Sequence, residues 1–161
     1  MKDNTIFNGM RAIIPAEGRC GLYVLEGHQN TAYMRLWFLS LETGESELLL
    51  DEEDLNCDIR KTFLQGETLY ILVYQYGVSE GEIPMQVWAY DVNTFERTKV
   101  IGLNTSVSFS RFGVDSKGRI YASVNDSFDY EKAGETLYRF DADGQLIDLS
   151  ECPKRVFSYE A

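Results

Sequence analysis

A segment of about 50 residues recurs three times along this chain, and such an internal repeat limits the possible folds more than any other feature. The copies are GLYVLEGHQNTAYMRLWFLSLETGESELLL, TLYILVYQYGVSEGEIPMQVWAYDVNTFERTKV and RIYASVNDSFDYEKAGETLYRFDADGQLIDL. Each opens on an aliphatic–Tyr pair: Leu22-Tyr23, Leu69-Tyr70 and Ile120-Tyr121. Each then crosses a variable polar loop into a second apolar stretch carrying Trp37, Trp88 or Tyr138. That stretch ends at Ser40, Asp91 or Asp141, followed by LETGE, DVNTFE or DADGQ, whose Asp, Asn, Thr and Gly residues suit tight turns.

The local patterns predict strands throughout. Leu36 and Phe38 alternate with Trp37 and Leu39, and Val87 and Ala89 with Trp88 and Tyr90. The run LYILVYQY is apolar on both faces, as a strand sandwiched between two sheets must be. No stretch keeps a helical period over the roughly 11 residues that identify a helix. A shorter apolar strand precedes each Tyr strand (RAIIP, IRKTFL, RFGVD), and a fourth follows each turn (SELLL, TKVIG, LIDLS). Each unit is therefore a four-stranded antiparallel meander of strands a, b, c and d.

Four strands per repeat at this period describe a blade of a β-propeller. The expectation is an all-β, β-propeller-like single domain over residues 1–161, with blades at approximately 11–50, 58–101 and 110–149. A hydrophobic fraction of 44% and an aromatic fraction of 13% fit a folded, strand-rich chain. The third repeat, FGVDSKGRIYASVND…TLYRFDADGQLI, resembles the blades of the NHL and SMP-30-like propellers. That resemblance rests on turns and alternation, so it implies a fold and no activity. Tyr23, Tyr70, Tyr121, Trp37 and Trp88 stand at repeat positions and are expected in the blade core.

An arginine also recurs at the start of strand a: Arg11 in MRAII, Arg60 in IRKTF and Arg111 in SRFGV. Arg155 in KRVFS takes the same place after the third blade, and CDIR and CPKR share a Cys at the same step. Residues 152–161 therefore read as the start of a further blade. Closed propellers have at least about four blades. Either these residues belong to a longer polypeptide, the reading favoured by the extra strand a, or copies assemble and close a ring, two copies making six blades. An open sandwich of the same hairpins is the third architecture.

The arginines are candidate binding residues, either as interblade braces (Arg60 pairing with Asp58, for example) or as an anion site at the channel mouth. An acidic sugar or a peptide C-terminus would suit the second. Further binding candidates come from the b–c loops, which share a rim with the d–a loops: His28, Tyr74, Tyr76, Asp126, Asp129 and Tyr130, with Glu80 and Glu82 beside them. Tyr offers contact area at low entropic cost. Asp126 and Asp129 also suit a general acid–base pair or a calcium ion, but carboxylates are ordinary loop residues. DADG lacks the spaced ligands and distal Glu of an EF-hand and reads as a hairpin turn. His28 has no nucleophile or acid at a telling spacing, and GxGxxG, P-loop and GxSxG motifs do not occur.

The formal charge of -11 opposes a phosphate backbone, so nucleic acid is not an expected partner. No run approaches the roughly 18 apolar residues of a membrane span, and MKDNTIFNGMRAII lacks the apolar core of a secretory signal. Cys20, Cys57 and Cys152 form no CxxC pair and, with one histidine, no expected zinc site. They are expected as small buried hydrophobes, and an odd count favours a reducing compartment. The sequence therefore predicts a non-catalytic binding or scaffolding module, without a cofactor or metal, that presents its rim loops to a protein, peptide or glycan. The alternatives are a lactonase- or lyase-like propeller enzyme with a metal in the channel, and a purely structural segment. The channel metal would need acidic or His ligands where strands a carry arginines and apolar residues.

Overall fold

The computed structural model describes residues 9–16, 18–27, 33–103, 105, 109, 111–125 and 135–152. Twelve strands form three four-stranded sheets, each a sequential antiparallel meander, and no helix occurs among the described residues. The first sheet comprises β1 (Met10–Pro15), β2 (Gly21–Gly27), β3 (Tyr33–Ser40) and β4 (Ser46–Glu53). The second comprises β5 (Cys57–Gln65), β6 (Thr68–Gln75), β7 (Met85–Asp91) and β8 (Arg97–Gly102). The third comprises β9 (Arg111–Val114), β10 (Ile120–Asn125), β11 (Glu135–Phe140) and β12 (Leu146–Cys152). Of residues 152–161, expected to open a further blade, Cys152 ends β12 and 153–161 lie outside the described residues.

The sheets approach one another chiefly through their first strands, with β5 touching both β1 and β9. They diverge outward from there, so β1, β5 and β9 are the inner strands of propeller-like blades. Pairing places Trp37 opposite Val24, Trp88 opposite Ile71 and Tyr138 opposite Ala122. Counted from Tyr23, Tyr70 and Tyr121, these positions coincide, so the three aromatics are equivalent, as the repeat predicts.

The turns owe their shape to the residues the sequence put there. Asp91 Oδ1 accepts hydrogen bonds from the amides of Asn93 (2.7 Å) and Thr94 (3.1 Å), and Asp141 Oδ1 accepts from Asp143 and Gln145 (both 2.9 Å). Ser40 Oγ does the same for Thr43 in the first blade. These carboxylates and this hydroxyl satisfy amides that the meander leaves unpaired.

Two cores fill the two spaces between blades. Tyr23, Leu25, Leu36 and Phe38 of the first sheet meet Leu69, Ile71, Val73, Trp88 and Tyr90 of the second. Leu72, Met85 and Val87 on the opposite face of the second sheet meet Val114, Ile120, Ala122 and Phe140 of the third. The β6 run Leu69, Ile71, Leu72 and Val73 is accordingly buried on both faces.

Burial of the repeat aromatics is unequal even within one blade, and this corrects the expectation that all five are core. Trp88 is 2% exposed and Tyr23 is buried, but Trp37, Tyr70 and Tyr121 are only half-buried. Trp37 lies on the face of the first sheet turned away from the second, and Tyr121 on the face of the third turned away from the second. No described sheet lies over either face. Cys57 is buried as expected, whereas Cys20 is exposed because it lies in the turn between β1 and β2.

Burial pushes the Cys57 thiol up to about 11, with nearby Asp58 adding to the rise. A thiol raised in the folded state favours the protonated form, so its contribution to stability is complete below its unfolded value of 9.0. That contribution is lost as pH climbs toward 11. In a Cys152→Ser background, Cys20 is expected to react rapidly with a disulfide reagent at pH 8, while Cys57 reacts only on unfolding. Denaturation midpoints should fall between pH 9 and 11, less so in Cys57→Ala. Timed labelling and urea melts check both.

Candidate functional site

Strands β1, β5 and β9 run in the same sense from one rim, and an arginine lies at or next to the start of each. In two of them the backbone is bulged at that arginine. Met10 pairs with Glu26 and Ala12 with Leu25, leaving Arg11 as the extra residue. Ile59 pairs with Val73 and Lys61 with Leu72, leaving Arg60 as the extra residue. A bulge re-aims its side chain and increases local twist, so both guanidinium groups leave the ordinary in–out alternation. Arg111 departs from this register. It pairs with Ser123, the position held by Ala12 and Lys61 in the other blades, one step beyond the bulge.

The two bulge arginines turn to the same neighbour in their blades. Arg11 donates from Nε to the carbonyl of Gly27 at 3.0 Å. Arg60 lies over the ring of Tyr74, 5.9 Å from its centroid, and Tyr74 takes the place of Gly27 in the repeat. Arg60 also pairs through Nε with Asp58 Oδ2 at 2.9 Å, and the Asp58 side chain is buried. Burying a carboxylate is costly unless a cation and hydrogen bonds accompany it, so Arg60 supplies the counter-charge beside the buried Asp58 and Asp58 in turn orients Arg60.

Tyr76 completes the cluster, its ring edge-on to Tyr74 at 5.3 Å. The chain carrying it is held to the preceding d–a loop. Its amide donates to the Asn56 carbonyl at 2.7 Å, Asn56 Nδ2 donates to the Tyr76 carbonyl at 3.1 Å, and Gln75 Nε2 donates to the Asn56 carbonyl at 3.0 Å. Glu82 turns back on its own loop and accepts from the Ser79 amide at 2.8 Å. The result is a half-buried aromatic pair, a cation fixed beside it and a rim loop held rigid. Such a surface can stack on a flat apolar or sugar face and hold an adjacent carboxylate.

The structure thus brings together Arg60, Tyr74 and Tyr76, and sets Arg11 and Arg111 on adjoining inner strands of the same rim. His28, Asp126, Asp129, Tyr130 and Arg155 lie outside the described residues. Asn56 and Gln75 were missed by sequence reasoning, since nothing distinguishes an Asn or Gln that fastens two loops from any loop amide. The bulges left one trace: an arginine at the same step in two blades. Among the described residues, no group of three or more His, Cys, Asp and Glu side chains is placed to hold a metal.

No family model and no curated protein matches the chain. Among solved structures, dipeptidyl peptidase 4 from Porphyromonas gingivalis is similar to it, with a TM-score of 0.48 and 14% sequence identity. The match covers 82% of this chain and 18% of that one.

Proposed function

We propose that this chain is a non-catalytic binding module that presents its rim to a protein, peptide or glycan partner. The observation that carries this reading is the half-buried, edge-on pair of Tyr74 and Tyr76 with the exposed Arg60 over Tyr74, the arginine held by Asp58 and the Tyr76 backbone by Asn56. Its chemistry suits a ligand with a carboxylate next to a flat face, such as a peptide C-terminus or an acidic sugar. We also place the blades nearest the NHL and SMP-30-like propellers, on the pattern of the third repeat.

The test is a titration followed by amide chemical shifts, using short peptides with free or amidated C-termini and uronic-acid oligosaccharides. Shifts are expected around Arg60, Tyr74 and Tyr76, stronger for the free carboxylate. Arg60→Gln should weaken binding at least about tenfold, the loss of one charge-assisted contact. It also leaves Asp58 buried without its cation, so stability is compared in Asp58→Asn/Arg60→Gln, which should bind as weakly and melt close to the parent chain. A double variant that melts markedly earlier, in a protein showing no shifts with any of these ligands, would make Arg60 a brace and overturn the reading.

A further inference from the structure

The two outward faces of the outer blades are matched to each other. On the first blade that face presents Ile13, Leu22, Trp37 and Leu39, at the positions of Thr62, Leu69, Trp88 and Tyr90 in the second. In the second blade Leu69, Trp88 and Tyr90 are all buried against a neighbouring sheet. In the first blade their counterparts are half-buried and Ile13 is 53% exposed. Met10 is 50% exposed where its counterpart Ile59 is 7% exposed. The first blade therefore retains an apolar packing face of the kind its neighbours bury.

The outward face of the third blade has the complementary form. Its equivalents in the first two blades carry Ile14 or Phe63 and Leu25 or Leu72, but here Gly113 and Ser123 occupy those places. A recess of about 280 Å³ lies there, lined by Gly113 and Ser123 together with Arg111, Tyr121 and Leu137. Projecting apolar side chains on one face thus correspond to a hollow on the other. Charge follows the same division. On the first blade Glu26, Asp51 and Glu53 outnumber Arg35, which pairs with Asp51 at 3.0 Å and Glu53 at 4.0 Å. On the third, Arg111 and Arg139 stand with Asp148 among the described side chains of that face. Glu26, buried and accepting from Trp37 Nε1 at 3.0 Å, replaces Val73 and Val124 of the other blades, at the rim end where Arg111 lies.

We infer that the outward face of the first blade is a docking surface for the third blade of a second copy of this chain. The contact continues the blade-on-blade packing already present twice within the chain. Made reciprocally about a two-fold axis, it gives a six-bladed ring, a size propellers commonly adopt. It sets Glu26 of one copy near Arg111 of the other.

Light scattering coupled to gel filtration, over a concentration series, tests this on the whole chain. The expected mass is that of two chains at high concentration, dropping to one for Ile13→Glu, an exposed site whose change leaves the fold intact. Glu26→Arg and Arg111→Glu should each be monomeric alone, because like charges then face each other. Mixed in equal amounts they should form dimers, because both contacts regain opposite charges. A monomer at every concentration overturns the inference, as does association untouched by Ile13→Glu. If Glu26→Arg dissociates the protein but Arg111→Glu does not, two first blades meet each other and the proposed partner face is wrong.

Discussion

Gly144→Ala is expected to destabilise the protein by about 2–4 kcal/mol, well beyond the usual cost of a surface substitution. Gly144 lies in the turn between β11 and β12 with φ +82, a region where an L side chain is strained. It is also pressed against the second blade: an added Cβ would overlap the carbonyl oxygen of Gly102 and stand 2.7 Å from Ile101 Cγ2. Backbone cannot move aside as a side-chain tip can. The same turn is tied to β8 by Lys99, whose Nζ donates to the Ala142 carbonyl at 2.6 Å and to Asp143 at 2.9 Å. A Cβ at Gly144 therefore pushes two blades apart where they are clamped together. Gly44 is the control, with φ +72 and open space around its Cβ position. Gly44→Ala carries only the left-handed penalty, about 1–2 kcal/mol. Urea denaturation of both variants gives the difference, and equal losses would mean that the third blade does not rest on the second at this turn.

Trp88→Ala should cost about 3–5 kcal/mol, the range for removing a large buried aromatic. Its ring is enclosed by the first sheet, Arg97 lies over it at 4.4 Å, and its Nε1 donates to Gln86 Oε1 at 2.9 Å. Trp37→Ala removes the same side chain from the equivalent place in the first blade but should cost about 1–2 kcal/mol, in proportion to the smaller apolar area it covers. The Glu26 carboxylate that loses the indole donor can take water instead. Guanidinium melts of the two variants read this contrast, and similar losses at both positions would contradict unequal cover of the two faces.

Much of this fold was legible because a repeat transmits information between its copies. Any one stretch around Trp37, Trp88 or Tyr138 is ambiguous, but three at one spacing, each with a turn residue after it, fix the pairing of strands b and c. Burial was less legible for a physical reason. Alternation assigns a residue to a face of its sheet, and what covers that face depends on the neighbouring blade. Trp37 and Tyr121 thus have the patterning of core residues and lie half-open. Arg111 shows the second limit. A bulge adds one residue to a strand without changing its apolar pattern, so Arg11 and Arg60 are displaced by one step while Arg111 is not. At the rim, the Asp58–Arg60 pairing was readable from proximity in sequence, whereas the Asn56–Tyr76 fastening joins loops 20 residues apart that carry no pattern of their own.

The three sheets are consecutive blades, with the middle one covered on both faces. The chain has two tryptophans, at equivalent positions of the first and middle blades, so their fluorescence tests it directly. Trp37→Phe leaves Trp88 as the single emitter, and Trp88→Phe leaves Trp37. The measurement is acrylamide quenching at dilutions where light scattering gives the mass of one chain, with Ile13→Glu added if the dimer persists. Emission from Trp88 is expected to be blue-shifted and weakly quenched, and that from Trp37 red-shifted and readily quenched. Equal quenching of the two, or a more accessible Trp88, would contradict it.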